Sequence, residues 1–291
     1  MSNNIISGGT RLCGVIGNPV EHTMSPAMHN AAFAQMGLDY VYVPFKVKKV
    51  GLSRAIDGMR GLNIRGLSVT IPHKVAVIPL LDKLDPLAEK IGAVNTITND
   101  DGVLTGSNTD AGGFLQALLA RGIEPKGKKI VILGAGGASR AISFILAERG
   151  AHLVILNRLL ELDWAEELAG RLSSFFTREV KALELVEENL SGVLPAADIL
   201  VNTTSVGMSS NINETPVPAK LLRPGLVVFD IVYNPIKTRL LKEAEAAGAE
   251  TVSGVDMFVW QGALAFEKWT GQKAPLDLMK REVIKALEHE D

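Results

Sequence analysis

Lys129-Ile130-Val131-Ile132-Leu133-Gly134-Ala135-Gly136-Gly137-Ala138-Ser139 is the stretch on which the fold turns. Its aliphatic run reads as a buried strand of a parallel sheet, and the helix pattern to Arg149 follows the glycines directly. Glycines at such a turn let the backbone approach a pyrophosphate, which then rests on the helix N-terminus. The G-x-G-x-x-G spacing alone is weak, and Ser139 stands at its sixth position. A βα turn without a ligand is the competing reading. Against it stands the context of strand, turn, helix and a second strand over Leu153 to Leu156.

The end of that second strand bears on which dinucleotide fits. An Asp or Glu there would bind a ribose 2′-hydroxyl and select NAD. The chain has Asn157-Arg158 instead. Arg158 can meet a 2′-phosphate bidentately and stack on adenine, so NADP is expected ahead of NAD. An exposed arginine closing a strand is the alternative. Glu161 would repel a phosphate if it pointed inward.

Downstream, strands are expected over Ile199 to Asn202 and Val227 to Val232, a helix over Lys237 to Ala247, and a short strand near Thr251. Two helices close the chain, Val255 to Trp269 and Pro275 to Glu288. Upstream a separate series begins. Strands over Leu12 to Gly17, Tyr40 to Phe45 and Gly66 to Ile71 alternate with helices over Ser25 to Met36 and up to Gly61, which implies parallel pairing. Helical segments are expected from Pro72 to about Ile91. Asn99-Asp100-Asp101-Gly102 carries hairpin chemistry between Val94–Thr98 and Val103–Gly106. A helix over Asp110 to Ala120, with Thr109 or Asp110 as N-cap, leads out of this region.

The fold class is therefore α/β. An N-terminal α/β substrate domain, residues 1–110 completed by 250–291, carries a Rossmann-type dinucleotide-binding domain, residues 111–249, and the C-terminal helices return to the substrate domain. The 291 residues and 47% apolar content support sizeable cores, while a net charge of -2 argues against nucleic acid as a partner. Cys13 is the only cysteine, so no intrachain disulfide and no cysteine metal cluster can form. His22, His29, His73, His152 and His289 lack zinc-helix spacing, and no metal is expected. Met1 to Arg11 is polar, without a leader's apolar region, and no apolar run reaches the ~18–20 residues of a membrane span. A cytoplasmic protein is expected, a monomer or homodimer acting on a small molecule without a membrane partner.

Four polar segments fall at expected strand ends: His22-Thr23-Met24-Ser25-Pro26, Ser68-Val69-Thr70-Ile71-Pro72-His73-Lys74, Gly92-Ala93-Val94-Asn95-Thr96 and Gly106-Ser107-Asn108-Thr109-Asp110. Ligands of open α/β sheets bind outside the carboxyl ends of strands, so the four can converge on one site.

Together these segments resemble the shikimate dehydrogenase family over nearly the whole chain. The family's S-x-S-P appears as Thr23-Met24-Ser25-Pro26, and its N-V-T-x-P-x-K as Ser68-Val69-Thr70-Ile71-Pro72-His73-Lys74. Gly92 to Thr96, Asn108-Thr109-Asp110, Gly134 to Arg140 and Tyr233-Asn234-Pro235 match as they stand, and Gln261 falls at the family's substrate-binding glutamine. The resemblance implies reversible NADPH-dependent reduction of 3-dehydroshikimate to shikimate, a step of chorismate and aromatic amino acid biosynthesis. It implies Lys74 and Asp110 as the catalytic pair. Thr23 and Ser25 would bind the substrate carboxylate, and Thr70, Asn95, Asp110, Tyr233 and Gln261 would bind the ring hydroxyls and carboxylate. For the dinucleotide it points to Gly134, Ala135, Gly136, Gly137, Ala138, Asn157 and Arg158, with Ile231 and Gly254 at the nicotinamide end.

Physical need agrees with these roles. Reduction of a ketone develops negative charge on oxygen, which a cation or proton donor must meet. A carboxylate beside a lysine favours the ammonium, so Lys74 reads as the group that stabilises and protonates the alkoxide. Thr23 keeps the family's hydroxyl and adds a methyl, Ser68 is shorter than the family's asparagine, and His73 reads as a packing residue. These departures, with Leu159 and Leu162 where the family often has polar or basic partners, leave two rivals: a quinate/shikimate dehydrogenase using NAD, and a non-catalytic nucleotide-sensing paralogue.

Overall fold

The computed structural model describes residues 6–209 and 211–289. The beginning of the Met1 to Arg11 stretch, read above for leader character, lies outside them. The chain divides into two compact units, one formed by the described residues to Gly112 and from Val259 onward, the other by Gly113–Phe258.

The first unit opens with β1 (Arg11–Gly17), α1 (Ser25–Gln35), β2 (Tyr40–Lys46), α2 (Leu52–Gly61) and β3 (Gly66–Val69). It continues with β4 (Lys83–Leu84), α3 (Pro86–Ile91), β5 (Thr96–Asp100) and β6 (Val103–Ser107), and α4 (Asp110–Leu119) leads out of it. The sheet order is β2-β1-β3-β5-β6-β4. Pairing is parallel around β1 but antiparallel from β3 to β5 and from β5 to β6. Parallel pairing thus holds only for part of this sheet. The reversal has a consequence for the site: Asn95, just before β5, lies at the same sheet edge as the ends of β1, β3 and β6.

Asn99 and Asp100 belong to β5, and the turn is the two-residue Asp101-Gly102, both with positive φ, 51° and 90°. This is the backbone that a two-residue hairpin requires and that Asp-Gly accepts. Of the helical segments expected from Pro72 to about Ile91, only the later part is α-helix, α3. The earlier part forms turns and one short 3₁₀ segment at Ile78–Leu80 before Asp85 caps α3 through the Ala88 amide. α4 begins at Asp110, and Asn108 Oδ1 accepts from the Ala111 amide in its first turn at 3.2 Å.

The second unit comprises β7 (Lys129–Leu133), α5 (Gly137–Glu148), β8 (His152–Asn157), α6 (Leu162–Phe176), β9 (Lys181–Glu184), α7 (Glu187–Val193), β10 (Ile199–Asn202), β11 (Val227–Asp230), α8 (Arg239–Ala246) and β12 (Glu250–Ser253). All its strand pairs are parallel, in the order β12-β11-β10-β7-β8-β9. That is a doubly wound Rossmann-type sheet whose strand order reverses between β7 and β10. Its core on one face joins Val131, Leu133, Leu200 and Val228 to Leu240, Leu241 and Ala244 of α8.

Two last helices follow, α9 (Gly254–Thr270) and α10 (Leu276–Glu288). The chain returns to the first sheet through them. Trp269 is 1% exposed, and its indole donates to the Ile97 carbonyl at 3.0 Å. A Cβ on Gly66 of β3 would overlap that indole, so the absence of a side chain there makes room for the ring. Arg65 adds a hydrogen bond to the Trp269 carbonyl at 2.9 Å.

Candidate active site

In the first unit one sheet edge gathers the polar loops. β3 ends at Val69, and its continuation is fixed by the Thr70 amide on the Ile16 carbonyl at 3.0 Å. The Val94 amide binds the Lys74 carbonyl at 2.7 Å, which ties the Lys74 turn to the segment before β5. Lys74 Nζ lies 2.5 Å from Asp110 Oδ2, with the lysine side chain 16% exposed and the aspartate 5%. Asn95 Nδ2 reaches Asp110 Oδ1 and Thr109 Oγ1, each at 2.9 Å, and Gln261 Oε1 at 3.4 Å. Asn95 Oδ1 accepts from the Thr109 amide at 2.7 Å, which fixes the orientation of the side-chain amide. Five residues singled out in the sequence for function, or next to such a residue, are therefore one hydrogen-bonded group: Lys74, Asn95, Thr109, Asp110 and Gln261.

Thr23 and Ser25 pair with each other after β1, with 3.2 Å between their hydroxyls, Thr23 half-buried and Ser25 buried. Thr70 is half-buried, with its methyl against Gly17. The space left by the shorter Ser68 is not empty, because Tyr42 donates its phenol to Ser68 Oγ at 2.9 Å. His73 is fully buried with Nε2 2.6 Å from the Val47 carbonyl, in keeping with packing.

The second unit presents the glycine turn at the switch point between β7 and β10. Gly134 has φ +99°, and a Cβ there would press on Thr203 Oγ1 at 2.8 Å. Gly136 is exposed, and nothing stands where its Cβ would be. α5 begins at Gly137 with no side-chain cap, so its first amides and dipole are available to an anion. Ala135 is buried and Ala138 half-buried. Ser139, the departure at the sixth position, turns its hydroxyl back to the Gly134 carbonyl at 2.7 Å and braces the turn. These features fit a pyrophosphate: an open cradle, a helix start and no carboxylate in the turn.

At the end of β8, Asn157 is buried and donates to the Glu161 carbonyl at 2.6 Å. Arg158 is exposed, and Glu161 takes its guanidinium in a two-point ion pair. The carboxylate holds Arg158 further towards its charged form, and the guanidinium lowers the Glu161 pKa in return. Leu159 and Leu160 are exposed beside it. Ile231 and Gly254 meet closely, since a Cβ on Gly254 would overlap the carbonyls of Ile231 and Val232. Tyr233 belongs to this unit, stacked on Phe258 with ring centroids 4.2 Å apart.

Sequence reasoning missed one group. Asp230 ends β11 completely buried, and its signal was an aspartate closing an otherwise apolar strand, Val227-Val228-Phe229-Asp230.

Two family models match the chain, the shikimate dehydrogenase substrate binding domain over residues 15–97 and the shikimate 5′-dehydrogenase C-terminal domain over residues 254–284. A shikimate dehydrogenase (NADP(+)) of Dehalococcoides mccartyi is 48% identical over 280 residues, covering 96% of this chain and 97% of that protein. A crystal structure of a shikimate dehydrogenase in complex with NADP+ aligns with TM-score 0.90 at 42% identity, over 97% of this chain and 98% of that one. The shikimate 5-dehydrogenase of Listeria monocytogenes, in complex with shikimate and NAD, aligns with TM-score 0.87 at 44% identity, over 95% and 97% of the two chains. Sheet order, the open glycine turn and the hydrogen-bonded Lys74 group point the same way as these likenesses: the chain belongs to the shikimate dehydrogenase family.

Proposed function

We propose that this protein catalyses the reversible, NADP-linked interconversion of 3-dehydroshikimate and shikimate, in the biosynthesis of chorismate and the aromatic amino acids. The observation that carries the proposal is the pairing of the Lys74 ammonium with the buried Asp110 carboxylate at 2.5 Å. When bound, the nicotinamide supplies or accepts a hydride. What the chain's own residues do follows from charge.

Lys74 places a cation where a carbonyl oxygen gains negative charge, and its N–H donates to that oxygen. Asp110 holds the lysine in place through their ion pair. Asn95, oriented by Thr109, fixes the second oxygen of the carboxylate. Thr23 and Ser25 offer hydroxyls to the substrate carboxylate, and Thr70, Asn95, Asp110 and Gln261 bind the ring. A site built from so many fixed donors and acceptors rejects analogues lacking a hydroxyl. The first unit acts as the substrate domain. The second holds the dinucleotide through Gly134, Ala135, Gly136, Gly137 and Ala138, with Asn157 and Arg158 towards the adenosine and Ile231 and Gly254 towards the nicotinamide.

Among the described residues no helix is long and apolar enough to cross a membrane. We place the protein in the cytoplasm, as a monomer or homodimer. Initial rates with shikimate and quinate, each with NADP and NAD, test the proposal. Shikimate with NADP should give the highest kcat/KM, and no turnover of shikimate with either nucleotide would refute it.

A further inference from the structure

Asp230 is a buried carboxylate that none of the roles above uses. Its Oδ1 accepts from Asn202 Nδ2 at 2.9 Å and from the Val232 amide at 3.1 Å, and its Oδ2 accepts from the Thr238 hydroxyl at 2.6 Å. The three donors come from three places: the end of β10, the loop after β11 and the N-cap of α8. Asn202 carries the connection further. Its Oδ1 accepts from the Thr204 amide at 3.0 Å and hydroxyl at 2.7 Å, and its Nδ2 reaches the Val206 carbonyl at 3.4 Å. Thr238 also accepts from the Leu241 amide at 3.3 Å. Beside Asn202, Thr203 donates to the Leu133 carbonyl at 2.6 Å, next to the Gly134 turn.

One carboxylate thus joins residues 202–206 to residues 231–238. The second segment carries Ile231 and Tyr233, and Ile231 borders Gly254. Burying a carboxylate is strongly unfavourable unless its oxygens are hydrogen-bonded, and here each bond falls on a segment whose course must be held.

We infer that Asp230 is a positioning residue for hydride transfer, its three hydrogen bonds holding the loops after β10 and β11 in the course that receives the nicotinamide end of the dinucleotide. The inference rests on the dehydrogenase reading above. Burial raises the Asp230 pKa to about 6, although Thr238, Val232 and Asn202 each pull it down. Protonation would set a hydroxyl donor against donors and slacken the loops. The charged groups of the neighbouring elements are engaged elsewhere or distant along the strand. Arg239 pairs with Glu243 on α8, Lys237 pairs with Glu245, and Glu250 lies opposite Val227 at the other end of β12. Lys242, also on α8, is exposed.

Asp230→Asn is the test, because it keeps the shape and one acceptor but turns a donor towards Thr238. NADPH affinity is read from nucleotide fluorescence without turnover, alongside kcat, across about pH 5 to 8. The wild-type protein should bind NADPH less tightly as pH falls through the Asp230 titration. Asp230→Asn should bind roughly tenfold more weakly at neutral pH and lose that acid limb. Thr238→Ser, which keeps the hydroxyl, should behave as wild type, while Thr238→Val should weaken binding. That pair carries the comparison if Asp230→Asn does not fold. A folded Asp230→Asn with wild-type NADPH affinity and an unchanged acid limb would overturn the inference. Failure of the wild-type protein to turn over shikimate would instead strike the proposed reaction, and the NADPH titration would still decide the role of Asp230.

Discussion

Lys74 Nζ stands 2.5 Å from Asp110 Oδ2 while Asn95 Nδ2 holds the other oxygen of the same carboxylate at 2.9 Å. The aspartate is therefore oriented from two sides, and the ammonium has a fixed counter-ion in a largely desolvated position. An isolated surface pair would be worth little, but a pair fixed in this way sets where a proton donor points.

Replacing Lys74 should slow chemistry more than binding. Lys74→Ala should lower kcat by roughly 10²–10⁴-fold. Lys74→Arg keeps the charge but cannot give up a proton, so it should recover only part of the rate. Steady-state rates with shikimate and NADP measure both, and wild-type kcat in Lys74→Ala would remove the residue from the mechanism.

Glu161 holds the Arg158 guanidinium in an ion pair, so the proposed contact of Arg158 with a 2′-phosphate has to compete with that carboxylate. Arg158→Ala should cut the preference for NADP over NAD roughly tenfold, the loss of a charge-assisted contact. Glu161→Gln frees the guanidinium and should raise the same preference. The ratio of kcat/KM for the two nucleotides is the readout. An unchanged ratio in Arg158→Ala would mean that the phosphate is met elsewhere.

Gly254 has no room for a side chain beside the Ile231 and Val232 carbonyls. Gly254→Ala should cost about 1–3 kcal/mol of stability through backbone displacement. The displaced backbone is the proposed nicotinamide end, so KM for NADP should rise more than KM for shikimate. Equal KM changes would separate Gly254 from the nucleotide.

His29 gives the protein a defined acid sensitivity. It is buried against Tyr42, with ring centroids 4.4 Å apart, and burial brings its pKa down to about 3. Unfolded, the imidazole titrates near 6.5, so between those values the unfolded chain binds a proton that the folded chain refuses. As pH falls through that window, this residue alone takes away about 1.4 kcal/mol of stability per pH unit, and above it the effect vanishes. His29→Phe should abolish that share of the slope. Urea unfolding of both proteins at neutral and mildly acidic pH checks this, and parallel slopes would dismiss it.

The parts legible in the sequence were those with local causes. Lys129 to Ser139 declares a strand, a glycine turn and a helix without help from the rest of the chain, and Asp101-Gly102 declares its hairpin. Short edge strands carry no such signal. β4 is two residues, and β9, Lys181–Glu184, is only partly buried, so neither shows a decisive alternation. Of the helical segments expected after Pro72, the first part forms turns, with the Lys74 carbonyl bound to the Val94 amide, and α-helix comes only at α3. Catalytic candidates were readable because a resemblance marked them. Asp230 was not, because its meaning lies in Asn202, 28 residues earlier, and in Thr238, which no periodicity connects to it.

The indole of Trp269 filling the space over Gly66 also sets an order of events during synthesis. Strands from Arg11 to Ser107 leave the ribosome first, but the ring that completes their packing is made more than a hundred residues later. The Gly113–Phe258 unit is continuous in the chain and is fully made before that ring. Nascent chains usually mature from the front, and here the front half must wait with an apolar face uncovered. Truncation between Phe258 and Trp269 leaves a complete Gly113–Phe258 unit tethered to an unfinished one, so quality control of such a product would be directed at its oldest segment.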